Sequence, residues 1–74
     1  MSMTQFTVYG KEIKKRLIDL GRPQTWLIDQ VREKTGLYFD DSYLYKIQTG
    51  KLSTPSIIAA INEILNLSDE QSAG

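Results

Sequence analysis

The segment from Asp40 to Lys51, reading DDSYLYKIQTGK, constrains the fold more than any other stretch of the chain. It has an acidic start, two apolar residues three apart (Leu44 and Ile47), polar and aromatic residues between and around them, and Gly50 as a stop. Residues three apart share one face of a helix, and glycine readily takes the left-handed conformation that ends one. The segment therefore predicts a short helix over about 41–49, with one packed side and one side left over. Asp40 is its cap, placed to accept from the amides of Ser42 or Tyr43. Leu44 and Ile47 point inward. Asp41, Ser42, Tyr45, Lys46 and Thr49 lie outward, with Tyr43 between the two sides.

The rest of the chain reads as three more helices and no convincing strand. Ile13, Leu17 and Leu20 recur at helical spacing, with Ile18 widening the stripe, which predicts a first helix from Val8 or Tyr9 to Leu20 ended by Gly21. Lys11, Lys14, Lys15 and Arg16 fall off that stripe and form either a solvated face or a set of phosphate contacts. Pro23 is tolerated in a first turn, so a second helix begins at Pro23 or Gln24 and buries Leu27, Ile28 and Val31, ending near Gly36. The lone Trp26 borders that face and is either half-buried or a surface contact. In the connection that follows, Leu37 and Phe39 are expected to plug the core. A fourth helix, with Pro55 in its first turn, runs to about Asn66 on Ile57, Ile58, Ile61, Ile64 and Leu65. That apolar face is wider than one small core needs, which fits either deep burial or a dimer contact. Residues 1–7 read as a loose arm with Phe6 as its one anchor, 8–67 as the domain, and 68–74 as a disordered tail. Ser68-Asp69-Glu70-Gln71 resembles a capping box, and a short fifth helix is the alternative there.

Composition removes several classes of chemistry. With 74 residues the chain makes one domain with a modest core, too small for a buried enzyme cleft. It has no cysteine and no histidine, which excludes disulfides, the usual zinc sites and any Ser-His or Cys-His pair, so neither catalytic residue, metal nor cofactor is expected. The longest apolar run, Ile57 to Ile61, is five residues and no leader pattern is visible, so a cytoplasmic protein without a membrane segment is expected. Net charge is zero, but it is unevenly spread. Residues 1–51 hold all nine Lys and Arg against six acids, giving +3, and residues 52–74 hold three acids, giving −3. The basic part coincides with the helix described first.

From Gln24 to Ile64 the chain resembles the repressor and Cro group of helix-turn-helix proteins, the Xre-type regulators of phages and prophages. The resemblance is carried by Gln24-x-x-Leu27-Ile28 opening the second helix, Leu44-x-x-Ile47-Gln48-x-Gly50-Lys51 closing the third, and then Pro55 and the apolar fourth helix. It implies an all-α, compact helix-turn-helix domain that binds double-stranded DNA and regulates transcription. It also implies that Asp41, Ser42 and Lys46 read bases and that Gln24, Thr49, Lys51 and Ser53 contact the backbone. The chain departs from the group in carrying Ile28 where alanine is usual. The stretch from Gln24 to Leu44 is also about six residues longer than in the simplest members.

Residue chemistry agrees with those roles. Lys46 can donate to guanine, Asp41 can accept from cytosine or simply favour the helix start, Ser42 can serve either partner, and Tyr45 can touch a thymine methyl or a phosphate. Few cations face the groove, so tight binding needs two copies on a near-palindromic site, and Ile61, Ile64, Leu65 and Leu67 are the expected dimer contact. The alternative is a small helix-turn-helix adaptor or inhibitor that binds protein through Tyr38, Tyr43 and Tyr45. No small-molecule substrate is evident in the sequence.

Overall fold

The computed structural model describes residues 5–67. Four helices make up the described chain: α1 (Val8–Leu20), α2 (Gln24–Thr35), α3 (Asp41–Gln48) and α4 (Pro55–Leu65). The domain is all-helical, as its patterning predicts. Each boundary has a local cause. Thr7 caps α1 by accepting from the Gly10 amide at 3.0 Å, and Gly21, at φ 67°, ends it. Gly36 ends α2 at φ 71°. Asp40 caps α3 by accepting from the Tyr43 amide at 2.9 Å. Pro55 opens α4, and Asn66, left-handed at φ 59°, closes it.

The core draws on every helix. Ile13, Leu27, Val31, Leu44, Ile57 and Ile61 are fully buried, and Phe39 joins them from the connection between α2 and α3. Phe39 lies against the Tyr43 ring, centroids 5.0 Å apart. Its former partner in expectation, Leu37, does not join: it is exposed beside Tyr38, because one aromatic plug already closes that end of the core.

Three other apolar expectations change. Ile18 and Leu20 are exposed, since α1 is covered by α3 and α4 along only the line of Ile13 and Leu17. The expected dimer contact also divides. Ile61 and Leu65 are 0% and 1% exposed and belong to this chain's own core, so they cannot meet a second copy. Ile64 and Leu67 are half-buried and line separate hollows, one with Gln30, Glu33 and Lys34, the other with Ala59, Asn62 and Asn66. The broad apolar face of α4 is used inside the domain, where α2 lies along it.

Polar links then tie the first helix to residues far along the chain. The Tyr9 hydroxyl donates to Asn62 Oδ1 at 2.7 Å, joining α1 to α4. Thr7 donates to the Gln48 carbonyl twice, from its amide at 3.0 Å and from its hydroxyl at 3.1 Å. A helix leaves its last carbonyls without partners of its own, so the chain before α1 supplies a cap for the end of α3. Gly10 permits the approach. A Cβ built on it would stand 2.9 Å from the Gln48 carbonyl carbon, with the oxygen closer still. No described helix is long and apolar enough to cross a membrane. The capping box at Ser68 and the tail, like residues 1–4 of the arm, lie outside the described residues.

Candidate functional site

The free side of α3 follows from its sequence. Leu44, Ile47 and Gln48 are buried, which leaves Asp41, Ser42, Tyr45 and Lys46 turned away from the core. Those four residues and Gln24, the first residue of α2, line one shallow, open depression of about 460 Å³. Five of the eight expected DNA-contacting residues thus share a surface. The juxtaposition arises because the amino end of α2 is brought alongside α3.

The other three expected residues stand apart from that depression. Thr49 follows α3 as its cap and donates its hydroxyl to the Tyr45 carbonyl at 3.0 Å. Its single hydroxyl hydrogen is thereby used, so a phosphate contact would require the hydroxyl to turn. Gly50, at φ 81°, lets the chain double back, and the Lys51 amide donates to the Lys46 carbonyl at 2.8 Å. The Lys51 side chain is exposed just past the helix end. Ser53 lines a different, mostly apolar hollow with Thr7, Tyr9, Leu52 and Ile58.

At the amino end of α3, Asp40 is more than a cap. The Tyr38 hydroxyl donates to its second carboxylate oxygen. That hydrogen bond, then the one from the Tyr43 amide, holds the Asp40 carboxyl below the usual carboxylate range. The same contact raises the Tyr38 phenol above its ordinary value, because a phenolate would face a carboxylate. An anion is thus fixed beside the first turn of α3, complementing the helix dipole.

Two of the described cations are held in ion pairs and two more in other contacts. Arg32 reaches Asp29 at 4.0 Å on α2, and Lys34 reaches Glu63 at 3.1 Å between α2 and α4. Arg16 donates to the Asn66 carbonyl at 3.4 Å, and Arg22 lies over the Trp26 ring at 5.0 Å. Lys14, Lys46 and Lys51 make no ion pair among the described residues. Lys46 of α3 and Lys51 just past it are thus among the cations with no carboxylate partner among the described residues.

Two aromatic details refine the site. Tyr45 is partly covered by Phe6, which meets it edge to face at 6.2 Å and 81°. Tyr43 is withdrawn from the surface, with its ring on Phe39 and its hydroxyl 2.7 Å from that of Thr54, so only Tyr38 and Tyr45 of the three tyrosines are exposed. Sequence reasoning placed Phe6 as an anchor but not on α3, and it gave no role to Gly10 or Gln48. A glycine inside an otherwise regular helix was the available signal for close packing at position 10. Among the described residues there is no cluster of His, Cys, Asp or Glu suited to a metal ion. Against protein-family models, curated proteins and solved structures the chain gives no significant match, so its likeness to the repressor and Cro group rests on its own residues.

Proposed function

We propose that this chain is a sequence-specific regulator that binds double-stranded DNA, of the phage or prophage repressor type, and that it reads the major groove with α3. The observation that carries the reading is the shared depression of Gln24 with Asp41, Ser42, Tyr45 and Lys46. It sets an amide suited to a phosphate beside side chains suited to base edges. An α-helix with its side chains is about 10–12 Å across, which fits the roughly 12 Å width of the groove. Lys46 donates to guanine O6 or N7, Asp41 accepts from cytosine, and Ser42 and Tyr45 complete the reading. Gln24 and Lys51 hold the backbone. A regulator of this kind acts in the cytoplasm and needs no cofactor or catalytic residue.

Two or three neutralised phosphates per copy give a salt slope of only about −2 to −3, too shallow for tight binding by one domain. Two copies on a near-palindromic operator supply the rest. Their contact must use surface other than Ile61 and Leu65.

Selection of bound duplexes from a random pool, with wild type and Lys46→Ala, tests this reading. The wild type is expected to enrich one motif, and Lys46→Ala to relax a single position by about 1–3 kcal/mol. Lys51→Ala should weaken all sites about equally. Failure of the wild type to enrich any motif would defeat the reading.

A second reading, a protein-binding adaptor, is favoured by one observation. Leu37 and Tyr38 are 46% and 74% exposed and border a hollow with Asp29, Arg32 and Glu33. Salt separates the two, because duplex binding weakens steeply as salt rises and an aromatic protein interface does not.

A further inference from the structure

The arm before α1 and α1 itself each bring one side chain to the α3 surface that the helical pattern of α3 does not supply. Phe6 sets its ring edge to face against Tyr45, and Lys14 Nζ lies 4.9 Å from the centre of the same Phe6 ring. The ring therefore has the reading helix on one flank and an ammonium on another. Phe6 is held there by its neighbour, since Thr7 donates twice to the Gln48 carbonyl at the end of α3. The Thr7 methyl also packs against Gly50, where an added Cβ would meet it at 3.0 Å. Lys14 itself is exposed and makes no ion pair among the described residues.

We propose that Phe6 and Lys14 are part of the nucleic-acid surface: Lys14 contacts a phosphate of the duplex, and Phe6 is the positioning residue that holds both Lys14 and the Tyr45 ring for it. The inference rests on the DNA-binding reading above and adds a contact to it. A lysine head resting on an aromatic face keeps its remaining N–H donors directed outward, and its long side chain has less freedom left to lose when a phosphate arrives. Lys15, the next residue, is exposed but has no such ring. Of the two lysines, only Lys14 is tied to α3.

The test is the salt dependence of binding to the duplex enriched by the wild type, or to random-sequence duplex if none is enriched, for the wild type, Lys14→Ala, Lys15→Ala, Phe6→Ala and the Phe6→Ala/Lys14→Ala double variant. Lys14→Ala is expected to reduce the slope of log affinity against log salt by about 1, so that the ratio of wild-type to variant affinity shrinks about fourfold between about 50 and 200 mM salt. Its base preferences should be unchanged. Lys15→Ala should match the wild type. Phe6→Ala should lose the same slope and also relax selectivity at the base nearest Tyr45, and the double variant should lose no more slope than Phe6→Ala alone. Thermal melts of each variant establish that the fold is kept. If the wild type binds with a steep salt dependence but Lys14→Ala behaves as Lys15→Ala does, the Lys14 contact is wrong and the DNA reading stands. If Phe6→Ala keeps the full slope, the positioning role of Phe6 is wrong. If the wild type shows no salt-dependent binding to duplex, both readings fall together.

Discussion

Gly10 of α1 lies flat against the backbone of Gln48 at the end of α3. A methyl group at position 10 would stand 2.9 Å from the Gln48 carbonyl carbon and 3.0 Å from its Cα. Neither neighbour is a flexible side-chain tip that can swing aside. The two helices cross where there is no room for a side chain, and the double hydrogen bond from Thr7 closes the same junction.

Gly10→Ala is accordingly expected to destabilise the domain. In an open helix the change would gain about 1 kcal/mol of helix propensity. Here the overlap with main-chain atoms outweighs it, at a net cost of about 1–3 kcal/mol, or roughly 4–8 °C of melting temperature per kcal/mol. Urea unfolding measures it, and a variant as stable as the wild type would disprove the close crossing.

Phe39→Ala and Leu37→Ala should separate widely although both residues sit in one connection. Phe39 is 1% exposed, and its truncation should cost about 3–5 kcal/mol, a large share of the stability of so small a domain. Leu37 is 46% exposed, and its loss should fall within about 0.5 kcal/mol. Paired denaturation curves decide the matter, and equal losses would contradict the assignment of Phe39 as the single plug.

The Tyr38 to Asp40 contact should be visible in titrations. The Asp40 carboxyl is depressed first by the Tyr38 hydroxyl and then by the Tyr43 amide. A depressed carboxyl adds stability above its unfolded value, near pH 4, and loses it as pH falls through the lower folded value. Tyr38 is raised by the same partner, so its contribution is present below about pH 10 and disappears as pH rises through the folded value. In Tyr38→Phe, the Asp40 midpoint followed by carbon-detected NMR should move upward toward the ordinary carboxylate value. An unchanged midpoint would mean that the hydroxyl does not donate to Asp40 in solution.

Gln48→Met is expected to leave stability unchanged or raise it slightly. The Gln48 amide nitrogen is buried, with no hydrogen-bond partner among the described residues. An unsatisfied buried donor costs about 1–3 kcal/mol, whereas an apolar side chain of similar shape carries no such cost. The Gln48 carbonyl that accepts from Thr7 belongs to the main chain and survives the change. A loss above about 1 kcal/mol would show that the amide is satisfied after all.

The four helices were legible because their ends are written locally. Gly21, Gly36 and Gly50 take left-handed turns, Asp40 caps α3, and Pro55 opens α4. Apolar spacing likewise placed Ile13, Leu17, Leu44 and Ile47 inside. It did not set how wide a buried stripe is, which depends on how many neighbours cover the helix. Ile18 and Leu20 fit a packed stripe and are exposed, while Ile61 and Leu65, whose spacing suits either deep burial or a second copy, are buried. An exposed aliphatic residue is ordinary, so nothing in the sequence distinguishes it.

Of the candidate site, the outward residues of α3 could be read from helical period alone, and the facing position of Gln24 came with the family resemblance. Lys14 stood among the cations off the α1 stripe that suit a phosphate, but the close crossing at Gly10 and the place of Phe6 against α3 could not be read. They depend on the approach of segments about 40 residues apart, such as Thr7 and Gln48, and local patterning carries no record of which segments meet.

Those distant fastenings also order events in time. Thr7 bonds a residue 41 positions later and Tyr9 one 53 positions later, so α1 is synthesised before either partner. The fastening of α1 therefore waits on residues made later, and a chain stalled before Asn62 would present Tyr9 and the inner face of α1 to chaperones and proteases. Codon choice that slows translation between Gly50 and Asn62 should therefore lengthen the window in which the nascent protein is open to cleavage.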